Sequence, residues 1–186
     1  MKIKLSPVIP LFLAVLSFQL AAGQRHALPE GKGFSRILYF SPEIEPDIDE
    51  LKAPTYEAFF SAVSDHAEQF KKRSMLRVED PLNYDDVDDE LVKIFCENND
   101  ADFAIVPKIQ YFKVGIGQYV FSNQAVVSMK LFDKEGNLIS ESSYDTLRRK
   151  YRVLGSTENS VKIGTSGAMN DIKKEIRRAT RKNLKS

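Results

Sequence analysis

Residues 102–138 read DFAIVPKIQYFKVGIGQYVFSNQAVVSMKLFDKEGNL, and the fold turns on them. Tyr119, Phe121, Ala125, Val127, Met129 and Leu131 fall on odd positions, while Ser122, Gln124, Ser128 and Lys130 fall on even ones. A period of two sends alternate side chains to opposite faces, so this is a strand with one buried and one largely wet face. Residues 133–137 (DKEGN) form a hairpin turn, since Gly136 or Asn137 accepts the positive φ that a tight turn needs. The partner strand returns from Leu138 to about Tyr151, and its polarity predicts that much of it is exposed. Residues 102–114 form an earlier β-rich run, in which Pro107 predicts an edge strand or a bulge.

Upstream of this meander the period changes. Tyr56, Phe59, Phe60, Val63, Ala67 and Phe70 recur at spacings of three and four, which predicts a helix with that stripe inward. Pro54 suits its first turn, and Lys71, Lys72 and Arg73 suit its negative end. Short apolar runs at 36–40 (RILYF) and 75–78 (MLRV) read as strands on either side. Residues 41–52 hold Pro42, Pro46 and five acids, which predicts a loop.

Residues 83–90 (NYDDVDDE) are the most acidic run. A calcium-binding EF-hand loop needs glycine at its sixth position and glutamate at its twelfth. Counted from Asp85, those positions hold Glu90 and Cys96, so the match fails. A helix start explains the run better: Asp85 or Asp86 caps, the acids that follow sit at the positive end, and Val87, Leu91, Val92 and Phe95 face inward. At the other end of the chain, residues 155–167 (GSTENSVKIGTSG) read as a small-residue loop before a closing helix over 168–184. Met169, Ile172, Ile176 and Ala179 make the buried stripe of that helix.

The elements therefore run β-α-β-α-β-β-β-α. A helical crossover makes neighbouring strands parallel and a hairpin makes them antiparallel. The expected class is α+β: a single mixed β-sheet with helices packed on it, in one domain over 35–186. Residues 24–34 are a polar lead-in. Residues 1–23 carry Lys2 and Lys4, an apolar stretch from Val8 to Ala22, and Ala21-Ala22-Gly23, which places small residues for cleavage before Gln24. This stretch of 15 residues, broken by Pro10 and Gln19, falls short of the roughly 20 apolar residues that span a bilayer. This predicts a cleaved signal peptide, export to the periplasm or beyond, and no transmembrane segment in the mature chain.

Composition narrows the function. The 186 residues hold 27 Lys+Arg and 26 Asp+Glu, with net charge +1. Without the first 23 residues, 163 remain with 25 basic and 26 acidic groups. That balance excludes a general nucleic-acid binder, which needs a basic excess. One cysteine and two histidines exclude a disulfide scaffold and argue against a zinc site. Cys96 beside Phe95 reads as a small buried apolar residue. No G-x-S-x-G elbow is present around Gly164-Thr165-Ser166-Gly167, His26 lies in the lead-in, and His66 reads as a rim residue of the first helix. Gly31-Lys32-Gly33 and Gly115-Ile116-Gly117 lack the strand-to-helix setting of a phosphate loop. No catalytic residue, metal or cofactor is assigned.

RILYF, TYEAFFSAVSDHAEQF, the MLRV strand, ENNDADFAIVPKI, the DKEGN hairpin and GAMNDIKKEI, in that order behind a signal peptide, resemble the TolB amino-terminal-like group of exported bacterial proteins. That group includes the curli secretion, penicillin-binding-protein activator and Pel-polysaccharide lipoproteins. The resemblance covers about residues 35–185. The lipid-bearing cysteine of the lipoproteins and the TolB propeller are both missing here. The resemblance implies a non-enzymatic envelope protein that acts by binding, and self-association, since members of the group form rings.

Two surfaces are candidates for that binding. Arg177, Arg178, Arg181 and Lys182 lie on the closing helix among other bases, as a patch for an anionic polysaccharide, a lipid surface or an acidic protein. Tyr119 and Phe121 flank the 115–117 glycines as an aromatic lip. The first reading is an accessory or assembly protein of the cell envelope that binds an envelope partner or itself. The alternative is a small-ligand or glycan-binding module with a pocket beside Tyr119, Phe121 and residues 155–167. A hydrolase built on His66 or Cys96 comes third. The charge is also segregated along the chain: acids gather at 43–50 and 80–102, bases at 148–152 and 173–185.

Overall fold

The structure is a computed structural model; it describes residues 35–186 apart from 69–72, 114–120, 148–155 and 184–186. The proposed signal peptide and lead-in lie outside those residues. The described elements are β1 (Ser35–Ser41), β2 (Glu43–Glu45), α1 (Asp49–Ala67), β3 (Arg73–Pro81), α2 (Asp89–Asn99), β4 (Phe103–Lys113), β5 (Phe121–Asp133), β6 (Leu138–Asp145) and α3 (Thr157–Asn183). They build an α+β fold on one mixed sheet in the order β3-β1-β4-β5-β6, with β2 also paired to β4.

Pairing follows the connections. β1 runs parallel to β3 and to β4, and both partners are reached through helices. β4-β5 and β5-β6 are antiparallel. The chain steps outward from β1 to β3 through α1, then back across β1 to β4 through α2. Two crossovers of the same hand in opposite directions put their helices on opposite faces of the sheet. One layer accordingly packs Ala58, Phe59 and Val63 of α1 and Met169, Ile172 and Ile176 of α3 on Ile37, Ile105, Ile109, Val127, Met129 and Leu131. The other packs Val92 and Cys96 of α2 on Leu38, Phe40, Ala104, Val106 and Phe132. Ala125, Val127, Met129 and Leu131 of β5 are buried beneath α1 and α3, as their period requires.

Several features differ from the sequence reading. Residues 41–52 are not all loop: β2 pairs with β4, and α1 starts at Asp49 with two acids in its first turn. The inward face of α1 is Thr55, Ala58, Phe59, Ala62, Val63 and His66. It is turned toward the smaller residues, so Tyr56 and Phe60 sit only half-buried. α1 ends at Ala67 and Arg73 opens β3, while Phe70, Lys71 and Lys72 lie outside the described residues. Pro107 lies on neither an edge nor a bulge. β4 pairs with β1 at 103–105 and with β2 at 108–110, and Pro107 falls in the break between them. A missing N–H costs no parallel ladder bond there. α2 is capped by Asp88, whose Oδ1 accepts from the N–H groups of Glu90 and Leu91, rather than by Asp85 or Asp86. Of its expected stripe only Val92 is fully buried, and Cys96 takes the second inward place.

The last difference is the largest. Residues 157–167 are the first turns of α3, not a loop. Val161, Thr165 and Ala168 continue the buried stripe toward the amino terminus. Gly164 and Gly167 allow the helix backbone to lie on the sheet. A β-carbon at Gly164 would stand 2.6 Å from Val127 Cγ2, and one at Gly167 would stand 2.0 Å from the Tyr144 ring.

Candidate interaction surfaces

On the α2 side, β4 changes character along its length. Ala104 and Val106 are buried there, and the next positions on the same face are Lys108 and Gln110. The Lys108 side chain is 14% exposed, and its ammonium meets three carboxylates: Asp85 at 2.7 Å, Glu45 at 3.2 Å and Glu43 at 3.4 Å. The Asp85 hydrogen bond is the main cause that holds the Lys108 pKa well above the ordinary lysine range. Beside it, Lys130 donates to the Tyr84 carbonyl at 2.7 Å and stands 4.7 Å from its ring centroid. The Tyr84 hydroxyl donates to Glu141 at 2.8 Å, and burial, reinforced by Glu141, raises its pKa. Three acids around one lysine leave this face negative. Asp86, Asp88, Asp89 and Glu90 extend it along the exposed approach to α2.

The sequence reading missed this cluster as a unit. Its one signal was the switch from apolar to polar at the even positions of β4. The partners from β2, the 83–88 segment and β6 converge only through the sheet.

The α3 side is basic toward its carboxyl end. Arg177, Arg178 and Arg181 are all exposed. Lys182 belongs to the same helix, but its side chain lies outside the described residues. Not all of these charges are equivalent. Arg178 is tied to Glu175, and Lys174 to Asp171 at 2.7 Å, one helical turn away in each case. Such pairs belong to a solvated helix face and contribute about 0.3–0.5 kcal/mol each. Arg177 instead lies one turn before Thr180, whose Oγ1 accepts from Arg73 of β3 at 3.2 Å. The acidic cluster around Lys108 and the basic end of α3 thus lie on opposite sides of one sheet, while the exposed acids of α1 (Asp49, Glu50, Glu57 and Asp65) share the side of α3.

The aromatic lip has no such placement. Tyr119 lies outside the described residues, and Phe121 is described only as the first residue of β5, in register with Lys113. The pocket expected around residues 155–167 takes another form, because most of that segment is helix. A groove of about 480 Å³ runs between α3 and β6, lined by Tyr144, Lys162, Ser166, Gly167, Asn170 and Asp171 among others. A second hollow of about 320 Å³ lies where Leu51, Thr55 and Tyr111 meet Ser156–Glu158.

Cys96 and His66 are not partners. Cys96 is 1% exposed in the α2 layer, and His66 is buried on α1, across the sheet. His66 is therefore an inward residue rather than a rim one. Burial, with Lys173 nearby, lowers its pKa. Burial pushes the Cys96 thiol up to about 11, with Asp133, Asp102 and Glu135 adding to the shift. A thiol so placed is protonated and shielded at pH 8. Native protein is expected to resist Ellman's reagent there for hours and to release one equivalent at once in denaturant. Prompt labelling of native protein would show Cys96 to be accessible. No group of three or more His, Cys, Asp or Glu suited to a metal occurs among the described residues. No described helix is long and apolar enough to cross a membrane.

No family model and no curated protein matches the sequence. Among solved structures, the chain is similar to the PelC dodecamer from Paraburkholderia phytofirmans at 7% identity and a TM-score of 0.42, over 75% of this chain and 86% of that one. It is similar to a neuraminyllactose-binding hemagglutinin homolog from Helicobacter pylori at 10% identity and 0.45, over 84% and 93%. Lipoprotein GNA1162 from Neisseria meningitidis matches at 11% identity and 0.34, over 75% and 99%. Likeness at these scores carries no statement about function.

Proposed function

We propose that this chain is an exported, non-catalytic accessory or assembly protein of the bacterial cell envelope, acting through association with a protein partner or with itself. The observation that carries the reading is the charge separation across the sheet. Glu43, Glu45 and Asp85 crowd one side, while Arg177, Arg178 and Arg181 stand on the other. Opposed patches of this kind steer encounter, fix orientation and reject like-charged partners. The signal-peptide reading and the resemblance to the TolB amino-terminal-like group support the compartment.

Zero-length carbodiimide crosslinking in the native host, followed by mass spectrometry, tests the proposal. Intermolecular lysine–carboxylate links are expected between Lys173 or Lys174 of α3 and an acidic surface. A chain recovered without any intermolecular link at either face would overturn it. A second reading, binding of a small ligand or glycan, is favoured only by the groove between α3 and β6. It requires ligand-induced protection of Tyr144 and Asn170 rather than of the charged surfaces.

A further inference from the structure

The sheet ends in two strands that are not alike. β3, at one edge, carries Arg77, Glu79, Asp80 and Pro81, and its pairing with β1 breaks at Ser41. Charge, proline and a register break are the devices that keep an edge strand from pairing with another chain. β6, at the other edge, pairs with β5 without a break from Ser140 to Asp145 and holds no proline, lysine or arginine. Among the described residues, no strand lies on its outer side. Alternate residues of an edge strand turn their N–H and C=O groups outward, so Ser140–Ser143 offers a ladder to a further strand.

The two sides of a strand added there would meet different surroundings. On the α3 side, Gly167 brings the helix down onto the Tyr144 ring. The groove of about 480 Å³ opens beside that contact, along Ile163, Ser166 and Asn170. On the α2 side, Glu141 is exposed and accepts from the Tyr84 hydroxyl at 2.8 Å. Glu43, Glu45 and Asp85 lie further in, around Lys108. With Glu141 these are four carboxylates against Lys108 and Lys130, so this side favours a cation. Opposite charges on neighbouring strands attract and like charges repel.

We propose that the outer edge of β6 takes up an extended segment of a partner protein, in which lysine or arginine alternates with apolar side chains. The basic side chains lie on the Glu141 side and the apolar ones enter the groove beside Tyr144. Main-chain hydrogen bonds supply affinity, and the alternation supplies specificity. The inference deepens the association reading and rests on it for a protein partner, but it uses none of the arginines of α3.

Fluorescence anisotropy of the full chain with a labelled peptide of alternating lysine and valine tests it. Binding is expected, with little or none for the alternating glutamate and valine peptide. Two further probes carry N-methyl groups, one on every lysine amide and the other on every valine amide. Only one of these sets of amides faces β6, so one probe is expected to lose binding and the other to keep it. Glu141→Gln, an exposed change that keeps an acceptor for Tyr84, is expected to weaken binding about two- to fivefold, the size of one cross-strand charge pair. Absence of binding by the lysine–valine peptide overturns the proposal. So does equal binding of both methylated probes, which would mark a diffuse charge attraction, or of the glutamate peptide. A dimer of the chain that the peptide dissociates would give the edge to a second copy and overturn the choice of partner. Intermolecular crosslinks at α3 without peptide binding would remove this site and leave the association reading standing.

Discussion

Phe59→Ala is expected to lower the stability of the domain by about 3–5 kcal/mol, the range for removing a fully buried aromatic ring. Phe59 is 0% exposed and belongs to the layer that joins α1 and α3 to the sheet. Its ring meets that of Phe60 edge-on, with centroids 5.3 Å apart. Phe60 is only partly buried, and Arg77 of β3 lies over it with the guanidinium carbon 3.4 Å from the ring centroid. Phe60→Ala should therefore cost distinctly less. Urea unfolding of the two variants checks the ranking. A loss below about 1 kcal/mol for Phe59→Ala, the size of an ordinary surface or minor change, would mean that α1 is not seated as described.

Gly167→Ala is the second large effect, and here the sign matters more than the size. In an exposed helix the change would stabilise by about 1 kcal/mol, the difference in helix propensity. In α3 the added carbon would stand 2.0 Å from the Tyr144 ring. Either the helix lifts from β6 or the ring leaves its place, and overpacking of this kind costs about 1–3 kcal/mol. The expected result is a net loss of stability that a Tyr144→Ala background largely removes. A net gain in the wild-type background would show that residues 157–167 are not pressed on the sheet.

The same glycine shows why part of the fold was hidden in the sequence. Gly, Ser and Thr over 155–167 carry the composition of a loop, and a period-based reading starts the helix only at Ala168. The small residues serve helix-to-sheet contact instead, and their role depends on Val127 and Tyr144, strands that lie elsewhere in the chain. By contrast, β5 and its hairpin were legible because period two and a turn glycine are local signals. Gly136 does adopt φ +87°. Pro107 misled for a related reason: its tolerance comes from the break between β1 and β2, which only the pairing reveals.

The candidate surfaces divide in the same way. The basic residues of the closing helix could be named from sequence. Their unequal roles could not, because Arg73 reaches Thr180 across 107 positions. The acidic side is a tertiary product as well, with Lys108 drawing carboxylates from β2 and from the 83–88 segment. Net charge near zero therefore describes the composition while concealing the distribution, and the distribution supports a binding role.

Sedimentation velocity of the purified protein, at rising concentration and at low and high salt, tests the central claim most directly. Association, with itself or with the partner found by crosslinking, is expected to strengthen with concentration and to weaken as salt screens the opposed faces. It is also expected to fall when Arg177, Arg178 and Arg181 are replaced by glutamate. A species that stays monomeric with and without that partner at every salt concentration would contradict binding through these surfaces.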